Sequence, residues 1–368
     1  MSIRRVLLFL HLWAALLAGI FLLALGVTGS LMAFENEIDR FLNRRLIDVQ
    51  PTPNHLSLAE LITKLENDHP GYKVTDIVFP SRPDHAYEAY LDPGSDADGI
   101  PVTVDPYTGK VVGDLRARNE WMNKVHQFHT HLLMEKHRQT AKYILGFASV
   151  FLLLLSCSGI VLWWRSKLVT INWHGSGKRL NFDLHNVFGF YSSLFLFLFA
   201  LTGIAVTWEG PVAKLVNQVT HSTTDQRMPR MSPPPAGAAA LGPDVIVGAA
   251  QAALPDAQLV SLSLQPRRPA EIRMKFPEDR TPGGRSRVFL DPYTGKALAV
   301  VNSRTASLGF KINRLWIREI HTGDIFGWPT RLLACLMSLA LPIMAITGTL
   351  IWWNRNRRLV PPIATPPE

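Results

Sequence analysis

Cysteine is nearly missing: two residues among 368, Cys157 and Cys335. Neither stands in a Cys-x-x-Cys-His motif, so covalent haem attachment of the c type is excluded. Both fall inside long apolar runs, near opposite ends of them, and a disulfide would need their Cα atoms within about 7 Å, which argues against one. No Gly-x-Gly-x-x-Gly follows a strand pattern and no P-loop occurs, so nicotinamide or ATP binding within the chain is not expected. Acidic residues are also in deficit, 29 against 38 Lys and Arg. That imbalance calls for no nucleic-acid partner, because the basic residues follow a membrane pattern.

Long apolar runs are plentiful: 6–34, 144–164, 187–208 and 332–353. Each exceeds the roughly 20 residues a helix needs to cross about 30 Å of hydrocarbon. In lipid such segments must be helical, since backbone groups find no water there. Arg4 and Arg5 before the first run resemble a signal-peptide start, but the run lasts about 29 residues and no small-x-small cleavage site closes it. An uncleaved anchor is expected. Arg4, Arg5, Arg165, Lys167, Lys178, Arg179, Arg355, Arg357 and Arg358 all lie on one side if both termini are cytoplasmic, as the positive-inside rule requires. Trp163–Trp164 and Trp352–Trp353 mark the same interface. The expected fold class is an α-helical membrane protein with α+β periplasmic domains. Its expected layout is transmembrane helices at 1–36, 141–165, 185–209 and 330–354, periplasmic domains at 37–140 and 210–329, a cytoplasmic loop at 166–184 and a cytoplasmic tail at 355–368.

Five landmarks recur in order. Leu10-His11 precedes Thr28-Gly29, and Leu184-His185 precedes Thr202-Gly203, each pair seventeen residues after its histidine. Asp105-Pro106-Tyr107-Thr108-Gly109-Lys110 returns as Asp291-Pro292-Tyr293-Thr294-Gly295-Lys296. His129-Thr130 returns as His321-Thr322, and Ser158-Gly159 with Trp163-Trp164 as Thr347-Gly348 with Trp352-Trp353. The unit helix, outer domain, helix therefore occurs twice as a tandem repeat, a parallel one related by an approximate two-fold axis along the membrane normal. The Ser/Thr-Gly pairs read as close helix packing. In each outer domain a short amphipathic helix, at 58–67 and 244–254, precedes β-type runs at 73–78 and 87–91, or 259–264 and 271–276. Asp-Pro-Tyr-Thr-Gly reads as a hairpin turn: Pro fixes φ, Asp bonds following backbone, Gly takes positive φ. The stretch 226–243, rich in Pro, Ala and Gly, reads as a linker.

Of twelve histidines, the repeat singles out two pairs. His11 lies just inside the first helix and His185 at the start of the third, both at the cytoplasmic face. His129 and His321 precede the second and fourth helices at the outer face. Ionisable residues at membrane depth are costly and suggest function. Two imidazoles from equivalent positions on opposite sides of one metal suit a haem iron, and bundle cofactors are commonly held by facing helices. Two haems, one per face, would make an electron path through about 30 Å of hydrocarbon. At 1.5 Å per residue the outer ligands sit above the hydrocarbon. Counted from the tryptophan pairs, His131 matches His321 better than His129 does, and His126 shares a helical face with His129, so both stay open as outer ligands. His126, His129, His131 and Glu135 together also suggest a zinc or copper site. His55, His69, His85, His137, His174 and His221 lack repeat partners and read as surface residues.

The LHLW…VTGS opening, the FHTHLL stretch, the SGIVLWW and ITGTLIWW endings and the paired DPYTG turns resemble the PepSY-associated transmembrane (PepSY_TM) family over nearly the whole chain. In character the chain resembles the ferric-siderophore reductases of Gram-negative inner membranes. The resemblance implies a four-helix inner-membrane protein with two b-type haems, bis-His ligated by His11, His185, His129 and His321, and PepSY-type domains over the outer haem. It implies reduction of ferric siderophore in the periplasm, with release of Fe²⁺ and a separate donor, a quinol or a cytoplasmic reductase. The chain departs from the family at Thr130-His131, where a single His is more often followed by Arg or Ser. Two other functions fit the residues: a haem relay to a different periplasmic acceptor, and a haem-free regulator or scaffold whose outer domains bind a protease or peptide.

Overall fold

The computed structural model describes residues 2–94, 98–222, 229, 231 and 238–356. Most of the linker expected at 226–243, and Arg357 and Arg358 of the tail, lie outside the described residues. In chain order the first half holds α1 (Ile3–Met32), α2 (Glu35–Ile47), α3 (Leu58–Asp68), β1 (Lys73–Val78) and β2 (Tyr87–Asp92). There follow β3 (Ile100–Val104), β4 (Val111–Asp114), α4 (Trp121–His131) and α5 (Arg138–Trp163). The second half begins with α6 (Gly177–Thr207), α7 (Glu209–Val219), α8 (Pro243–Ala253), β5 (Gln258–Ser263) and β6 (Ala270–Lys275). It ends with β7 (Ser286–Leu290), β8 (Ala297–Val301), α9 (Leu308–Phe310), a π-helical turn (Lys311–Trp316), α10 (Ile317–Thr322), α11 (Trp328–Ser338) and α12 (Ala340–Asn356). These elements form two compact units, a helical one and one built on the strands.

Four stretches of the helical unit are long and apolar enough to cross a membrane: Ile3–Met32, Trp121–Trp163, Gly177–Thr207 and Trp328–Arg355. α1 packs on α5 and α12, and α6 packs on the same two, which closes a four-helix bundle. α1 turns one stripe inward, Ala14, Ala18, Leu22, Gly26 and Ser30, each four residues after the last. Its small residues admit close neighbours: a Cβ at Gly26 would lie 2.7 Å from both Leu341 Cβ and the Ser338 carbonyl. Mid-bundle, Ala18, Leu22, Ala148, Leu152, Leu196, Ala200 and Leu341 make one apolar cluster. The last crossing breaks at Leu339, between α11 and α12. Pro342 explains it, for the ring has no N–H to give the carbonyl four residues back and clashes with it.

Two boundaries differ from the sequence expectation. α6 starts at Gly177, well before 185, because Ser176 caps it by accepting from the Arg179 N–H at 3.4 Å. The fully buried Asp183 then ties the preceding loop down, accepting from the Asn172 N–H at 3.1 Å and facing Arg179 Nε at 2.8 Å. His185 is consequently the ninth residue of α6, as His11 is of α1, not its first. Second, α4 packs on α1 and α10 on α6, so these segments belong to the helical unit rather than to the domains expected at 37–140 and 210–329.

The other unit is a single antiparallel sheet in the order β4-β3-β2-β1-β5-β6-β7-β8. Each half is a meander that starts at the centre and runs to an edge. β1 and β5 join them, with Asp76 opposite Ser263, Ile77 opposite Leu262 and Val78 opposite Ser261. Each half has its own core: Leu61, Leu65, Ile77, Leu91 and Val104 under α3, and Ile246, Leu262, Ile272, Met274 and Leu290 under α8. The repeated turn closes β3–β4 and β7–β8 with the same bonds. Asp105 Oδ1 accepts from the Tyr107 N–H and Asp291 Oδ1 from the Tyr293 N–H, each at 2.9 Å. Gly109 and Gly295 then turn at φ +67° and +70°, a region glycine enters without strain.

One contact between the halves of the sheet is a helix cap. Asp244 of α8 accepts from the Leu58 and Ala59 N–H groups of α3, both at 2.9 Å, next to the Ser57–Glu60 capping box. Asp244→Ala is expected to cost about 1 kcal/mol and to speed exchange of the Leu58 and Ala59 amides roughly fivefold. Asp244→Asn should keep most of their protection, with hydrogen exchange by mass spectrometry as the measurement.

Candidate functional site: four cradled histidines

Each repeat-paired histidine leans on a Ser/Thr-Gly dipeptide of another helix. His11 Nδ1 lies 2.8 Å from Ser158 Oγ, and His129 Nδ1 lies 2.9 Å from Thr28 Oγ1. His185 Nδ1 is 2.9 Å from Thr347 Oγ1, and His321 Nδ1 is 2.9 Å from Thr202 Oγ1. The glycine after each hydroxyl residue faces Cε1 of the same ring. A Cβ there would lie 3.2 Å from the ring at Gly29, 3.5 Å at Gly159, 3.7 Å at Gly203 and 3.1 Å at Gly348. The Ser/Thr-Gly pairs, expected to serve helix packing, therefore seat imidazoles. Packing remains part of their role, since a Cβ at Gly203 would meet Ser149 Oγ of α5 at 2.8 Å before the His321 ring.

The connectivity is the same in both halves of the chain. In the first, α1 gives its early histidine to α5 and takes the α4 histidine on its late threonine. In the second, α6 gives its early histidine to α12 and takes the α10 histidine on its late threonine. His11 and Thr28 are seventeen residues apart on α1, as are His185 and Thr202 on α6. At 1.5 Å per residue, two histidine levels stand about 25 Å apart along the bundle.

At the level of His129 and His321 the two halves meet. The rings of His129 and His321 have centroids 6.4 Å apart at 54°, and Phe199 sets its edge against His321 at 6.2 Å. His11 lies within electrostatic reach of His185. All four rings are partly buried, and no group among the described residues bonds their Nε2 atoms.

The other outer candidates point elsewhere. His131 is buried with both nitrogens engaged, Nδ1 with Thr130 Oγ1 at 2.9 Å and Nε2 with Glu135 Oε1 at 2.7 Å. His126 Nδ1 faces the Glu35 carboxylate at 2.9 and 3.0 Å. His131 is the better linear match to His321, but the ring that stands beside His321 is that of His129. Among the described residues no group of three or more His, Cys, Asp or Glu side chains converges as a metal site. The alternative zinc or copper arrangement around His126, His129, His131 and Glu135 is not assembled, since His131 and Glu135 pair with each other, His126 with Glu35 and His129 with Thr28. Of the six remaining histidines, His55, His137, His174 and His221 are exposed, whereas His69 and His85 are half-buried rather than on the surface. Burial pushes the His85 imidazole below its usual pKa, beside an Asp84 carboxyl held far below the usual range by Arg82.

These features define a multi-pass helical membrane protein with an antiparallel α+β unit and paired imidazoles at two bundle levels. The chain belongs to the PepSY_TM family, the PepSY-associated TM region, whose sequence model matches residues 8–355. No curated protein matches it.

The cradle geometry grades two substitutions. Gly348→Ala forces a Cβ against His185, and overpacking of this kind costs about 1–3 kcal/mol. Gly159→Ala makes only an ordinary contact with His11. Thermal unfolding in detergent should show Gly348→Ala with the clearly lower Tm of the two; equal values would contradict the cradle.

Proposed function

We propose that the chain is an inner-membrane electron carrier that binds two b-type haems, one between His11 and His185 and one between His129 and His321. The observation that carries this reading is the set of four equivalent imidazoles, paired across the two halves of the chain with Nε2 unengaged. Two imidazoles on opposite sides of one metal, with metal–nitrogen distances of about 2 Å, have ring centres roughly 6 Å apart. The 6.4 Å between His129 and His321 fits that demand. Among the described residues no third His, Cys, Asp or Glu joins these pairs; such pairs would suit a porphyrin iron, which brings its own ring nitrogens, better than zinc, which usually takes three or four protein ligands. The shared connectivity of the halves, and a sheet whose two meanders diverge from β1 and β5, support the tandem duplication.

When bound, an iron porphyrin supplies reversible one-electron chemistry whose potential depends on its axial ligands and surroundings. The chain's own part is to hold ligands and shape their surroundings. α1 and α6 present His11 and His185 at one level, while α4 and α10 present His129 and His321 at the other. The cluster around Ala18, Leu22, Leu152 and Leu196 keeps water out of the bundle between the levels. Arg4, Arg5, Arg165, Lys167, Lys178, Arg179 and Arg355 put both termini in the cytoplasm by the positive-inside rule. The sheet unit then faces the periplasm, and His129 and His321 form the outer level. The acceptor follows from the likeness to ferric-siderophore reductases: one electron converts chelated Fe³⁺ to Fe²⁺, which the chelator holds less tightly, and iron is freed for uptake. The electron enters from a quinol or a cytoplasmic reductase.

His11→Ala and His185→Ala should each halve the haem-to-protein ratio, and His129→Ala and His321→Ala should do the same at the other level, as read by pyridine haemochrome. Adding a ferric hydroxamate to the reduced protein should reoxidise it and release Fe²⁺ to a ferrous chelator. An unchanged haem-to-protein ratio in both variants of a pair would defeat that pairing.

A further inference from the structure

The four cradle hydroxyls each touch a second partner, the carbonyl one turn back on their own helix. Thr28 Oγ1 lies 2.8 Å from Ala24 O, and Ser158 Oγ lies 2.6 Å from Leu154 O. Thr202 Oγ1 and Thr347 Oγ1 lie 2.6 Å from Leu198 O and Ile343 O. A hydroxyl has one hydrogen and a carbonyl oxygen has none. Two oxygens so close repel unless that hydrogen sits between them, so the hydroxyl donates to the carbonyl, as Ser and Thr inside helices commonly do. Toward the imidazole it can then offer only a lone pair. Nδ1 must supply the hydrogen, and in a neutral ring with Nδ1–H the free lone pair is on Nε2.

We infer that Thr28, Ser158, Thr202 and Thr347 are positioning residues that lock His129, His11, His321 and His185 as Nδ1–H tautomers, and so commit Nε2 to the iron at all four sites. The metal-binding step of this inference rests on the haem reading; the tautomer step does not. Partners of this outer kind fix ring orientation and raise ligand basicity, and their loss typically costs 10–100-fold in metal affinity. The acceptor here is a neutral hydroxyl rather than a carboxylate, so the ligand stays an imidazole with little imidazolate character. All four sites share the hydroxyl contact, and His185 has the Met344 backbone as a further partner. A difference in potential between the levels then comes from other neighbours, such as Phe199 against His321.

The test uses Thr202→Val, which keeps shape but removes the hydroxyl, and Thr202→Ser, which restores it. ¹⁵N-histidine NMR of the full chain without haem should show Nδ1–H signals at four sites. Thr202→Val should shift one of them to the Nε2–H form, and Thr202→Ser should bring it back. In the haem-loaded protein, Thr202→Val should raise one midpoint potential, because the ligand that favours Fe³⁺ is weakened. A tenfold loss of ferric preference appears as about 59 mV for one electron, and Thr202→Ser should stay near the parent value. An unmoved tautomer signal in Thr202→Val overturns the proposal, and so does an equal potential in both variants. A wild-type preparation that takes up no haem overturns the haem reading and the metal step with it, while the NMR result still decides the tautomer.

Discussion

A serine or threonine hydroxyl inside a helix has one hydrogen, and the acceptor that takes it decides what the oxygen can offer its other neighbours. In this protein four such hydroxyls spend it on their own helix backbone and turn a lone pair to an imidazole on a second helix. Much else in the helical unit answers to that bond. It lies where α4 meets α1 and where α10 meets α6. It needs a following residue with no Cβ to crowd the ring, which glycine satisfies at Gly29 and Gly348. It also requires each early histidine to sit a fixed depth inside its helix, the ninth position in both α1 and α6.

The sheet unit solves a different problem with the same economy. Two four-stranded meanders would each expose a first strand as an edge, and exposed edges invite unwanted pairing. Joining β1 to β5 turns two edges into the centre of one sheet. The α8 carboxylate that caps α3 and the reciprocal bonds Phe79 N–H to Val260 O and Leu264 N–H to Thr75 O, at 2.9 and 2.7 Å, hold the joint at its ends. Among the described residues the sheet's outer edges are β4 and β8.

The parts legible in the sequence were those with a local signal. Apolar length marked the four crossings. Alternation and turn chemistry marked β1, β2, β5 and β6, the helices α3 and α8, and the two Asp-Pro-Tyr-Thr-Gly turns, all within a residue or so of their observed bounds. Internal repetition singled out His11, His129, His185 and His321. Parts that depend on distant partners stayed hidden. The hydroxyl–imidazole bonds span 101 to 162 residues of chain, and a Thr-Gly pair in an apolar helix looks the same whether it meets a helix or a ring. A count along the chain favoured His131 because it could not see that His129 is the ring meeting His321. The start of α6 was hidden by its polar first turns, whose stability comes from the Ser176 cap and the buried Asp183 rather than from apolar periodicity. The pairing of β1 with β5 was hidden because an edge strand does not name its partner.

Two bis-imidazole sites built into one chain would be tested most directly by the haem content of the unaltered protein. Pyridine haemochrome and iron analysis of protein from haem-replete cells should give two b-type haems and two irons per chain, with the sharp reduced α-band of six-coordinate low-spin iron. A colourless preparation without iron, or a high-spin spectrum from one haem per chain, would contradict two such sites.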